Sequence, residues 1–243
     1  LASISSIPIW LDSGHACGYL EDRQARSGFV HPSVEMDTPL YSQLIAQGFR
    51  RSGDHVYKPY CDACQACVPT RLPVMAFQPD RKQQRCIKRN AQTRVVVKNA
   101  EFDARHFRLY QRYLSARHDK PGESAETTPD DYINFLGSNW CDTLFVEFLI
   151  GGQLAAVAVV DVVSDGLSAV YTFFDPDFAG YSPGVYAVLW QIETAKQWGL
   201  TYLYLGYWIK DCRKMRYKID YQPLTGLIDG QWKAISNHTF TED

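Results

Sequence analysis

The sequence predicts an α+β fold. Three observations point to it: two helical segments after residue 100, then a run of three β segments joined by tight turns, then a further helix and strand. The β run is Leu144–Ile150, Gln153–Val163 and Ser168–Phe174, hinged at Gly151-Gly152 and at Asp165-Gly166, and its short turns make it an antiparallel meander. The chain has 243 residues, 46% of them hydrophobic and 14% aromatic, enough for a buried core and too many for a disordered chain.

Taken in order, Thr38-Pro39 reads as an N-cap and first helical residue and Gly48 as a stop, giving a short helix over 39–47. Short strands follow at Gly48–Arg51 and His55–Lys58, hinged at Gly53-Asp54, then the cysteine segment Cys61–Cys67 and an extended piece Pro69–Ala76. Residues 80–91 read as a helix and Thr93–Lys98 as a strand through Val95-Val96-Val97. Near residue 100 the pattern changes, dividing the chain into a cysteine-containing N-terminal α+β region (1–100) and a C-terminal region (101–243). The second region begins with a helix at 103–117, a turn-rich link from Asp119 to Thr128 and a helix after Pro129. After the meander come a helix over Gly184–Trp198, stopped by Gly199, and a strand at Thr201–Leu205.

Charge is balanced overall, with 25 Lys+Arg against 27 Asp+Glu, but residues 81–120 alone hold 12 basic and 3 acidic residues. That local excess, hidden in the average, points to an anionic partner. No stretch has the 18 or so apolar residues of a membrane span, and the apolar run Ile7–Leu11 is too short for a signal peptide. The expectation is a cytoplasmic protein whose seven cysteines are mostly reduced. Nucleophile elbows, Walker loops and HExxH are missing from the sequence, and the histidines form no ligand spacing.

Four constellations carry chemistry. Cys61-x2-Cys64-x2-Cys67 has the spacing of zinc or iron–sulfur ligands, with Cys17 as the natural fourth; a tight loop without metal is the alternative. Arg81, Arg85, Lys88, Arg89 and Gln92 form one unrelieved cationic stripe on a helix, suited to phosphates. If residues 210–218 are helical, Lys210, Arg213, Lys214, Tyr217 and Lys218 share a face, and with Tyr207-Trp208 they suit an RNA end; a plain amphipathic helix is the alternative. Phe173-Phe174-Asp175-Pro176 precedes a helix start at Gly184 that lacks the spaced glycines of an acetyl-CoA enzyme.

With these residues in view the chain resembles the aminoacyl-tRNA–protein transferase family. The matching pieces are Cys17-Gly18-Tyr19-Leu20, Asp22-Arg23-Gln24-Ala25-Arg26, Tyr60-Cys61 through Cys67-Val68-Pro69-x-Arg71, Phe173-Phe174-Asp175-Pro176, and Tyr202 to Ile209 running into Cys212-Arg213-Lys214-Met215-x-Tyr217-Lys218. The single cysteine of the first motif and the three of the second are similar to the bacterial leucyl branch. Pro183, where the family commonly has Leu, is a departure.

The resemblance implies an N-acetyltransferase-like C-terminal domain in which an aminoacyl-tRNA site replaces the coenzyme site. It implies transfer of leucine from leucyl-tRNA to an N-terminal Asp or Glu, marking the acceptor for degradation; arginyl transfer and a zinc-containing RNA-binding module are the alternatives. The expected partners are aminoacyl-tRNA and proteins, with no membrane and no DNA. No cofactor is required for transfer, and an iron–sulfur cluster or zinc on Cys17, Cys61, Cys64 and Cys67 is the expected metal site. The ester is already activated, and the acceptor α-amine, with a pKa near 8, is roughly one-tenth uncharged at neutral pH, so a weak base and an oxyanion donor suffice. Asp175 and Tyr171 are the catalytic candidates, and Arg23, Arg26 and Arg71 the candidates for the acceptor's carboxylate.

Overall fold

The computed structural model describes residues 7–117 and 127–239. The predicted link at 119–128 therefore falls almost wholly outside the described residues. The N-terminal part contributes β1 (Ile9–Leu11), β2 (His15–Ala16), β3 (Gln24–Ala25), β4 (Ser27–Val30), α1 (Thr38–Ile45), β5 (Arg50–Ser52) and β6 (His55–Pro59). Strands β1-β4-β6-β5 form a small antiparallel sheet, and β2-β3 form a hairpin beside it. The cap of α1 lies one residue before the predicted one: the Asp37 carboxylate, not Thr38, accepts the free Leu40 N–H at 2.7 Å.

The large sheet has eight strands in the order β14-β13-β7-β12-β11-β10-β9-β8. Its members are β7 (Val68–Pro73), β8 (Arg94–Asn99), β9 (Thr143–Ile150), β10 (Gln153–Val163), β11 (Gly166–Phe174), β12 (Tyr202–Trp208), β13 (Thr225–Ile228) and β14 (Gln231–Ala234). The meander is the predicted one, β9-β10-β11. Only β11 and β12 run parallel, and the crossover such a pair needs is α5 (Pro183–Gln197). Strands β7 and β8 insert residues 68–99 into the sheet of the second region, so the composition change near residue 100 is not a break in the structure. Helix α2 (Arg81–Arg89), closed by a reciprocal Asp80/Gln83 capping box, packs on α5 and buries Gln83 and Cys86. Helices α3 (Ala104–Arg117) and α4 (Pro129–Leu136) cover the opposite face, where a tyrosine- and phenylalanine-rich cluster forms around Tyr132 and Phe173.

The two sheets are fastened by Arg51. Its guanidinium is fully buried and reaches both Asp161 oxygens on β10 (2.6 and 2.7 Å), Thr143 Oγ1, and the carbonyls of Leu136 and Gly137 at the end of α4. Gly53 lets the β5–β6 turn press against that helix end. It has φ +57°, and a Cβ there would lie 2.1 Å from Asn134 O.

Strands β11 and β12 pair only over Gly166–Ser168 and Tyr202–Tyr204, although β11 continues to Phe174 and β12 to Trp208. Their outer partners shift register at the same level, where β11 bulges at Val170 and β12 at Leu205. The two strands therefore part into a V.

Candidate functional site

A cleft of about 1400 Å³ separates the N-terminal sheets from the β7–β12–β13 side of the large sheet. The β2–β3 hairpin and a Cys17 N–H to Arg23 O bond of 2.8 Å close a loop that presents Cys17, Tyr19 and Arg23 to it. Tyr60 N–H bonds to Arg26 O at 2.7 Å, and this sets Cys61 beside the same strand end. Cys64 and Cys67 complete the wall before β7 begins. Facing them are Tyr207 to Asp211, where β12 ends, and Leu227 to Gly230 with Trp232 at the β13–β14 turn.

The structure thus brings the four motif cysteines to one cleft. Burial, with the neighbouring thiols of Cys61, Cys17 and Cys64, pushes the Cys67 thiol up to about 12. Metal binding at Cys67 must displace that proton. Among the described residues no three of the four sulfurs lie within 4.8 Å of one another. A tetrahedral zinc with Zn–S of about 2.3 Å draws its sulfurs to roughly 3.8 Å apart.

The three acceptor candidates separate. Arg23 and Arg26 line the cleft, the latter pairing at 3.4 Å with the exposed Asp62. Arg71 does not line it. Its guanidinium is sandwiched between the rings of Tyr202 (3.8 Å) and Trp232 (4.2 Å), where it serves packing. Asp175 and Tyr171 also lie away from the cleft lining. Both Asp175 oxygens are engaged, one by Arg112 Nη1 at 2.9 Å and one by the Asp177 N–H at 2.9 Å, so the carboxylate caps the turn Pro176–Tyr181. Tyr171 packs edge-on against Tyr110, Tyr113 and Phe135.

Helix α2 exposes Arg81, Arg85, Lys88 and Arg89 as the spacing predicts. Gln83 bonds to Asp220 O at 3.1 Å and Arg89 to Gly180 O, so this stripe adjoins the 210–220 segment at one end and the α5 start at the other. The 210–218 segment is not the helix expected. It runs in turns that end in a 3₁₀ stretch, Arg216–Asp220, so the helical face has no counterpart. Lys210 lines the cleft, while Arg213, Lys214 and Tyr217 are exposed. Lys218 leaves that group: it turns inward, 5% exposed, and donates to Tyr207 O and Met215 Sδ. Burial, then the nearby Arg50 charge, brings its pKa down to about 7.

The sequence reading missed Tyr57, Lys58 and the β13–β14 turn, all of them cleft residues, and it missed Arg50. The adjacent arginines of a predicted strand were the available signal, since such a pair must point to opposite faces. A second titratable group lies outside the cleft, where Glu147 accepts from Lys98 (2.7 Å), Arg105 (2.8 Å) and His106 Nε2 (2.7 Å), with Asp103 beside it. Two cations already balance its two carboxylates, which leaves no charge for a metal to offset.

Residues 15–85 match the N-terminal part, and residues 105–228 the C-terminal part, of the arginine-tRNA-protein transferase family. The chain is 44% identical over 236 residues to the aspartate/glutamate leucyltransferase of Marinobacter nauticus, covering 97% of this chain and 99% of the relative. It is 45% identical over 235 residues to that of Hahella chejuensis (97% and 100% covered). Against that of Thiobacillus denitrificans it is 48% identical over 229 residues (94% and 95% covered). Among solved structures, the C-terminal domain of a putative lysylphosphatidylglycerol synthetase from Agrobacterium fabrum superposes with a TM-score of 0.47. That match has 12% identity and covers 71% of this chain and 53% of that one. The cleft motifs, on both of its walls, fall within the two matched segments, and the chain belongs to the arginine-tRNA-protein transferase family.

Proposed function

We propose that this protein transfers leucine from leucyl-tRNA to the N-terminal Asp or Glu of acceptor proteins in the cytoplasm, marking them for degradation. The observation that carries the reading is near-full-length similarity to aspartate/glutamate leucyltransferases, with the shared motifs converging on one cleft. The acceptor α-amine attacks the ester carbonyl, an amide bond forms, and the ester bond breaks to release the tRNA 3′-terminal hydroxyl, which takes up the proton. Binding both reactants in one cleft supplies much of the rate by proximity. Ile209, Leu227 and Ile228 offer an apolar wall for the leucyl side chain, and Arg23 and Arg26 a cationic rim for the acceptor. The α2 stripe with Lys210, Arg213 and Lys214 suits tRNA phosphates.

The fold is taken as N-acetyltransferase-like, with its coenzyme slot closed. Arg50 occupies the V between β11 and β12. That disfavours an acyl-CoA substrate. Cys17, Cys61, Cys64 and Cys67 would hold an iron–sulfur cluster, whose role is to brace the loops of one cleft wall. Anaerobic reconstitution tests this: the wild type should retain iron and sulfide with visible absorbance, and Cys64→Ser should lose both. Retention of stoichiometric zinc alone refutes the cluster.

Labelled leucyl-tRNA incubated with peptides beginning Asp, Glu or Ala tests the reaction. Label is expected in the first two only. Transfer from arginyl-tRNA instead, or to no peptide, overturns the reading.

A further inference from the structure

Arg50 and Arg51 are adjacent in β5 and meet opposite fates. Arg51 points into a cage of acceptors with a carboxylate at its centre. Arg50 points the other way, on the same face as its cross-strand partner Tyr57, and enters the V between β11 and β12. It is 8% exposed and, among the described residues, makes one hydrogen bond, Nη2 to Ala169 O at 2.7 Å. Ala169 is the first β11 residue beyond the paired stretch. Nη1 is buried with no partner, and among the described residues no carboxylate lies within 4.0 Å of the guanidinium. An arginine cannot shed its charge, so a buried one without an anion is a standing cost.

The surroundings make the site a receptor rather than a packing accident. β12 is held off the guanidinium by Gly206, at φ +76°, where even a Cβ would lie 3.5 Å from Nε and Nη2. A buried amine, that of Lys218, is anchored on the next residue's carbonyl, Tyr207 O, and has only neutral hydrogen-bond partners. Tyr57 and Tyr207, with ring centroids 6.4 Å apart, are shared between this hole and the cleft lining. The Tyr207 hydroxyl is tied back to Gly48 O at 2.9 Å. The result is a buried guanidinium without an anion, set behind two aromatic rings that line the cleft.

We propose that Arg50 is the specificity-determining residue that binds the side-chain carboxylate of the acceptor's N-terminal Asp or Glu, reached from the side of the cleft that Tyr57 and Tyr207 line. The inference rests on the acceptor reading given above. The planar fork of Arg50, with Nη1 unpartnered, matches one carboxylate oxygen, whereas Arg23 is exposed and Arg26 is paired with Asp62. The exposed cations of α2 already suit the phosphodiesters of the tRNA.

The test compares wild type with Arg50→Gln and Arg50→Lys, using leucyl-tRNA and peptides that differ only in an N-terminal Asp or Asn. Wild type is expected to prefer Asp strongly. Arg50→Gln should lower kcat/KM for the Asp peptide by about 30- to 100-fold, mostly through KM, and change the Asn peptide by less than about 3-fold. Arg50→Lys should recover part of the preference. Leucyl-tRNA affinity, measured separately, should stay within 2-fold. A second readout needs no turnover: the Asp peptide should raise the wild-type melting temperature and leave that of Arg50→Gln unmoved. Equal losses on Asp and Asn peptides, or weakened leucyl-tRNA binding, overturn the assignment. An inactive wild type instead sinks the functional reading beneath it.

Discussion

The ion pair of Arg51 and Asp161 decides whether the cleft has a rigid back. Both side chains are fully buried, and the pair joins β5 of the small sheet to β10 of the large one. Replacing Arg51 with Met leaves Asp161 charged in the core and strips donors from Leu136 O, Gly137 O and Thr143 Oγ1. Removing one partner of such a pair costs about 3–5 kcal/mol. At about 2–4 °C per kcal/mol for a chain of this size, the midpoint should fall by roughly 6–20 °C. Asp161→Leu should cost a similar amount, because the Arg51 cation is then left with carbonyls and the Thr143 hydroxyl but no anion. The double variant should sit above the sum of the singles, since both charges are gone, and below wild type, since the α4 carbonyls stay bare. Urea denaturation of the four proteins gives the cycle. Single losses under about 1 kcal/mol, or strict additivity, would refute the reasoning.

Three further expectations follow from the same geometry. Lys218 has a folded pKa of about 7 against an ordinary 10.5, so between these values the unfolded chain holds a proton that the folded chain does not. Stability should therefore rise with pH across that window, by up to about 1.4 kcal/mol per unit from this group, and Lys218→Met should flatten the rise; an unchanged slope contradicts the burial argument. Arg85→Gln with Lys88→Gln should weaken leucyl-tRNA binding and lower the slope of log affinity against log salt by roughly 1–2, measured by filter binding at several salt concentrations, and an unchanged slope removes α2 from the interface. Asp175→Asn, whose carboxylate here caps a turn and holds Arg112, should lower the melting temperature but leave the pH profile of transfer unchanged from pH 6 to 9; a large loss of turnover across that range in the folded variant would restore Asp175 as the base.

Elements whose signals are local were legible in the sequence. The β9-β10-β11 meander follows from its β runs and tight turns, α2 from a stripe at helical spacing, and α5 from the Gly199 stop. The four cysteines were legible because ligand spacing is written in the chain and their convergence needs only one further loop. Lys218 was misplaced because a helical period was projected onto residues that fold as turns, and the period then put an inward lysine on the outer face. Asp175 was chosen for its place at a strand end, but the cleft forms at the end of β12 rather than of β11, and only the pairing of β7 with β12 and β13 reveals that. Arg50 was hidden for the same reason: the V it fills exists only once β11 and β12, from distant parts of the chain, are side by side.

Photo-crosslinking from the aminoacyl end of an amide-linked leucyl-tRNA analogue tests the location of transfer most directly. The account places crosslinks on the cleft walls, at Trp208–Asp211 and at the turn from Leu227 to Trp232. Crosslinks confined to the Arg112–Asp175 face would contradict it.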